Sequence, residues 1–132
     1  MTFTAEMLRS SPVEPGYSVE QLAECIDACL ACGQSCAACA DACLGEGMVA
    51  ELRNCITTDL NCADVCEATA RVLSRQTGYT SGISAAVLQA CSAVCHQCAA
   101  ECERHAEMHE HCRLCAEACR RCAQACDRLL GS

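Results

Sequence analysis

Lysine and tryptophan are missing from the 132 residues, and only three aromatic rings are present: Phe3, Tyr17 and Tyr79. A nucleic-acid surface needs a basic patch and rings on which bases stack. Nine scattered arginines against seventeen acidic residues, a net charge of −8, exclude that class. No apolar run approaches the roughly 18–20 residues of a membrane span. The opening residues, MTFTAEMLRS, also lack the basic stretch followed by an apolar one that marks an export signal. The expectation is a cytoplasmic chain, with neither membrane nor nucleic acid among its partners, whose thiols stay reduced. Ordinary oil is scarce too: Phe, Leu, Ile and Val together number 22, too few for the core of one domain.

Cysteine is what the chain has in excess. Eighteen cysteines and 23 alanines must supply the missing interior, and a free thiol behaves there as a small apolar group. The cysteines fall into four groups: Cys25, Cys29, Cys32, Cys36, Cys39, Cys43; then Cys55, Cys62, Cys66; then Cys91, Cys95, Cys98, Cys102; then Cys112, Cys115, Cys119, Cys122, Cys126. Within the groups nearly every step is three or four residues. Alternating threes and fours keep side chains on one stripe of an α-helix, as the a and d positions of a heptad do. Disulfide scaffolds and zinc ribbons carry their cysteines on loops and give no reason for four such stripes.

The gaps between groups read as helix ends. Ser18, with Gln21 three residues on, opens the first helix, and Gly45 and Gly47 close it after Cys43. A second helix is expected from about Met48 to Gln76, ending in the Thr77–Gly82 stretch. A third should run from Ser81 or Ser84 to about Ala106, and a fourth from Glu110 to Leu130. Residues 1–17 read as a tail or short helix, and 18–132 as the bundle. Short connections predict an all-α, antiparallel up-down-up-down four-helix bundle with a cysteine-lined core. Asp41, Glu101, Glu103, Glu117, Arg120 and Arg121 are assigned to its outer faces.

Extending the stripes gives the tube two unlike ends. Leu22, Leu73, Leu88 and Leu129 gather at one. Cys43, Met48, His105, Met108, His109, His111 and Cys112 gather at the other, which reads as a mouth of soft and borderline metal ligands. His105 and His109 continue the third stripe and are candidate ligands, with His111 beside them. His96 falls off the stripe and reads as a surface histidine. The second stripe is interrupted by Asp59, where the others place sulfur. A lone inward carboxylate either touches metal or is hydrogen-bonded to Thr58, Asn61 or a neighbouring helix.

Several chemistries use many thiols. Four cysteines on one helical stripe point the same way and cannot converge on an iron–sulfur cluster. All-thiolate zinc leaves two negative charges per ion in a dry core. A redox protein cycling through Cys112-x-x-Cys115 or Cys119-x-x-Cys122 needs one exposed pair rather than eighteen buried sulfurs. Cu(I) fits better: it is soft, accepts two or three sulfurs, and one ion per thiolate is neutral overall. Multiple Cu(I) ions, on the order of one per cysteine, are therefore expected, with zinc or thiol redox chemistry as the alternative. Binding rather than catalysis is the expected activity.

Over residues 18–130 these cysteine-lined helices and the His- and Met-bearing third connection resemble the four-helix-bundle copper storage proteins, specifically their cytosolic branch. The resemblance implies a reservoir that folds without copper, loads many ions and assembles as a homotetramer. It implies copper on the eighteen inward cysteines and on His105, His109 and His111. Met48 and Met108 match methionines that guide copper in exported relatives, or simply pack. Copper chaperones or small thiols would be the partners.

Overall fold

The computed structural model describes residues 2–78 and 81–131, so Tyr79 and Thr80 of the expected second connection lie outside the described residues. Among the described residues five helices follow one another: α1 (Thr4–Ser10), α2 (Val19–Leu44), α3 (Arg53–Ser74), α4 (Ser81–Glu103) and α5 (Glu110–Leu130), with one 3-10 turn, Val49–Leu52, leading into α3. Among the described residues there is no strand. Ser18 caps α2 as its spacing implies, its hydroxyl accepting from the Gln21 amide at 3.1 Å. The second helix starts later than expected because its first turn winds tightly, and the third stops at Glu103 rather than Ala106.

Helices α2, α3, α4 and α5 form a closed ring in which each packs on the next and α5 returns to α2. Sulfur pairing fixes their directions. Along α2 and α5 the close partners are Cys25–Cys126, Cys29–Cys122, Cys32–Cys119, Cys36–Cys115 and Cys39–Cys112, rising on one helix as they fall on the other. Cys55–Cys102, Cys62–Cys95 and Cys66–Cys91 do the same between α3 and α4. Across the ring Cys29–Cys91, Cys32–Cys95 and Cys36–Cys98 rise together, so α2 and α4 are parallel. The up-down-up-down topology follows.

Small residues allow this closeness. A methyl group on Gly33 of α2 would stand 3.2 Å from Cγ of Glu67 and 3.6 Å from the Ala63 carbonyl on α3, so this glycine marks a tight helix contact. Both α2 and α4 are long and apolar enough by composition to cross a membrane, which corrects the sequence reading. The apolarity is largely cysteine and alanine, and the cysteines face the bundle axis. Outside, Arg120 pairs with Glu103 and Arg128 with Glu24, solvent-exposed links that add little to stability.

Leu22, Leu73, Leu88 and Leu129 are fully buried at one end, each contributing about 1.5–3 kcal/mol by leaving water. The N-terminal segment is tied to this half. Leu8 of α1 is buried in the core cluster, and the Thr2 and Thr4 hydroxyls donate to Asp27 of α2 at 2.8 and 2.6 Å. Oε1 of Gln76 accepts from the Gly16 amide at 2.9 Å, while its Nε2 donates to the Leu73 carbonyl.

Candidate metal centre

All eighteen cysteines are free and buried, and they lie along the axis as one connected body of sulfur. Four-sulfur groups recur in which every ligand atom is within 4.8 Å of the others: Cys29, Cys91, Cys122, Cys126; Cys32, Cys66, Cys95, Cys122; Cys32, Cys36, Cys62, Cys119; and Cys36, Cys98, Cys115, Cys119. Successive groups share members. Cys122 belongs to two, Cys32 to two, and Cys36 with Cys119 link the last pair. This sharing is the tertiary consequence of four stripes facing one axis.

Asp59 is fully buried within this sulfur. Thiols of Cys98, Cys115 and Cys102 donate to its Oδ1 at 3.1, 3.3 and 3.4 Å, and Cys55 points at Oδ2 from 3.9 Å. Its partners therefore come from neighbouring helices and its own stripe. Of the other partners weighed, Thr58 instead donates to the Asn54 carbonyl, and Asn61 is exposed. Burial, reinforced by Cys115 and Cys98, pushes the Asp59 carboxyl up to about 10, so it is protonated at neutral pH in the metal-free protein.

At the other end Cys39, Cys43, Cys112 and His111 form a mixed group with all ligand atoms within 4.8 Å. Nδ1 of His111 is 3.4 Å from Cys39 Sγ and 3.6 Å from Cys112 Sγ. Burial, with repulsion from Cys55, pushes the Cys43 thiol up to about 11 and raises Cys112 as well. Met48 is half-buried against the core, Met108 is 66 % exposed, and Leu52 is buried in the turn that leads into α3.

The histidines divide differently from their stripe positions. Because α4 ends at Glu103 and the chain turns through 104–108, the third stripe does not continue. Nε2 of His105 contacts Glu101 Oε2 at 3.1 Å. His109 stacks on His111 with centroids 5.4 Å apart. His109 Nδ1 and His111 Nε2 both meet Glu46 Oε2, at 3.2 and 2.9 Å. The off-stripe residue, His111, is thus the one set directly against sulfur. His96 is exposed near Asp127, as its position implied.

Two carboxylates escaped the sequence reading. Glu101, assigned to an outer face, is buried; it accepts from Asn54 Nδ2 at 2.8 Å and is also contacted by Arg104 and His105. It sits beside Cys102 at the margin of the stripe, and its i,i+4 relation to His105 was the available signal. Glu46 stands alone between Gly45 and Gly47, in a turn whose nearness to the histidines only the closed ring produces. The carboxyl of Glu46 is held below its usual range, first by the hydrogen bond from His111.

Comparison with known proteins places this arrangement. The family model for the copper storage proteins matches residues 18–131. The chain is 58 % identical to the copper storage protein Ccsp from Streptomyces lividans, whose structure is described as loaded with 10 copper equivalents. That match has a TM-score of 0.95 and covers 97 % of this chain and 98 % of that one. A second structure from S. lividans, described as copper loading to a cytosolic copper storage protein with five coppers, is 63 % identical with a TM-score of 0.85, covering 86 % and 94 %. A Bacillus subtilis protein known as the uncharacterized cysteine-rich protein YhjQ is 36 % identical over 76 residues, 57 % of this chain and 70 % of that one. A match that runs from the cap of α2 to the end of α5 makes this chain a member of the copper storage protein family.

Proposed function

We propose that this chain is a cytoplasmic store for Cu(I), holding on the order of one ion per cysteine on its eighteen buried thiols. The observation that carries the reading is the sharing of cysteines between successive four-sulfur groups. A thiolate can bridge two low-coordinate Cu(I) ions, and one Cu⁺ per thiolate adds no net charge to a dry core. Zinc is the second reading, because sulfurs 3.6–4.0 Å apart suit a tetrahedral ion with bonds of about 2.3 Å. Overlapping groups cannot all be filled that way without competing for the same cysteine, and each all-thiolate zinc leaves two buried negative charges.

His111 is assigned as the nitrogen ligand of the mouth group, with Asp59 a further ligand inside the tube. His105 and His109 serve as outer imidazoles on the uptake path. Incoming Cu⁺ displaces thiol protons, so loading releases protons and weakens as pH falls. Binding without catalysis is supported by the burial of every thiol, which leaves no exposed pair for disulfide exchange. Copper chaperones or small thiols would deliver and withdraw the ion. Assembly as a homotetramer belongs to the same proposal and rests on family membership alone; light scattering checks it.

The deciding experiment is an anaerobic Cu(I) titration of the reduced protein against a chromogenic chelator, with Zn(II) in parallel. A tight endpoint near one ion per cysteine with weak zinc competition is expected. An endpoint of a few ions, or firm zinc retention near one per four cysteines, would overturn the storage reading.

A further inference from the structure

We infer that Glu46 is a positioning residue that fixes complementary tautomers on His109 and His111 and so aims a free imidazole nitrogen at the mouth thiols; this rests on the copper-storage reading. An ionised carboxylate only accepts hydrogen bonds. Nε2 of His111, hydrogen-bonded to Glu46 Oε2 at 2.9 Å, must therefore donate, and Nδ1 of His109, in ion-pair contact with the same oxygen at 3.2 Å, turns its proton rather than its lone pair toward it. In a neutral imidazole the proton occupies one nitrogen and the lone pair the other. His111 is left with its lone pair on Nδ1, the atom 3.4 Å from Cys39 Sγ and 3.6 Å from Cys112 Sγ. His109 is left with its lone pair on Nε2.

That second consequence has its own sign in the structure. Nε2 of His109 is buried and has no hydrogen-bond partner among the described residues. A buried, unpaired acceptor costs stability unless a ligand uses it. The two rings stack at 5.4 Å with 21° between their planes, so one oxygen orients both. One carboxylate thus presents two unprotonated nitrogens, one already against sulfur and one awaiting an electrophile. Outer-shell carboxylates that orient metal-binding imidazoles act in this way, and removing them costs roughly 10–100-fold in metal affinity.

Glu46 lies in a turn outside every helix and is 33 % exposed, so its replacement leaves the bundle intact. The test compares the wild-type chain with Glu46→Ala and Glu46→Gln. Nitrogen NMR of the reduced, copper-free proteins reads the tautomers directly, and chelator competition at substoichiometric Cu(I) reads the affinity of the first ion. Wild type should show a pyridine-type Nδ1 on His111 and a pyridine-type Nε2 on His109. Glu46→Ala should mix the tautomers and weaken the first ion by roughly 10–100-fold, with total capacity unchanged. Glu46→Gln keeps an accepting oxygen and should restore the His111 tautomer and most of the affinity. Unchanged tautomers and affinity in Glu46→Ala would overturn the inference while leaving storage intact. Failure of the wild type to bind Cu(I) would instead defeat the storage reading, with the tautomer result standing on its own.

Discussion

The two ends of the bundle are built from the same four stripes yet finish them differently. At one end the stripes run into Leu22, Leu73, Leu88 and Leu129, and the N-terminal segment is tied down close by through Gln76 and Asp27. At the other they run into three histidines, Glu46 and Glu101, of which Glu46, His105 and His109 lie on a turn and a connection rather than on helices. Hydrocarbon offers an ion nothing and a proton nothing. Imidazole and carboxylate offer both. The exchange of thiol protons for metal ions proposed for the tube has chemical partners at the second end, and the leucine end is free to serve stability alone.

The contrast can be tested from the strongest effect downward. Filling the sulfur tube should dominate: each site saturated at 1,000 times its Kd adds about 4 kcal/mol to the folded state. Calorimetry of copper-loaded against copper-free protein should therefore show a large rise in Tm, and no rise would mean that the ions sit outside the core. Next, Leu88→Ala should cost about 2–5 kcal/mol in urea unfolding of the reduced, copper-free protein, because it opens a cavity in the plug. Copper capacity and the affinity of the first ion should not change; a leucine-end variant that altered the first ion would break the assignment of roles.

Asp59 gives an effect with a definite sign. Its folded pKa of about 10 lies above the unfolded value of 3.8, so the folded state holds a proton that the unfolded state releases. The stability it contributes is fully present below the unfolded value and is lost progressively as pH rises from there through the folded one. Asp59→Asn should remove that slope, and denaturant midpoints of the metal-free proteins between pH 5 and 8 measure it. Finally, His111→Ala should weaken the first Cu(I) at least as much as the roughly 10–100-fold expected of its supporting carboxylate. His105→Ala, which touches Glu101 rather than sulfur, should change it less. Equal effects would mean that the mouth works as a pool of imidazoles rather than as one aimed ligand.

The interior of the bundle was legible because a helix is periodic. Ser18, the three-and-four steps and the inward leucines translate directly into a cap, a stripe and a plug, and each is found where its spacing puts it. The mouth was legible as a collection of residue types but not as an arrangement. Carrying the third stripe on to His105 and His109 assumed that the helix continues; it stops at Glu103, and past that residue spacing says nothing about direction. Glu101 was misplaced because a position at the margin of a stripe can face out or face a neighbour, and Asn54 on α3 decides which.

Composition and period by themselves determined that this chain is a four-helix bundle lined with sulfur, with one dry end and one polar end. Local helical geometry suffices for that, since each stripe is set within its own helix. Which sulfurs share neighbours, which imidazole meets them, and which carboxylate holds that imidazole were decided only when the ring closed. Those relations join residues 65 and 72 positions apart, Glu46 with His111 and Cys39 with His111, whose proximity depends on how whole helices pack.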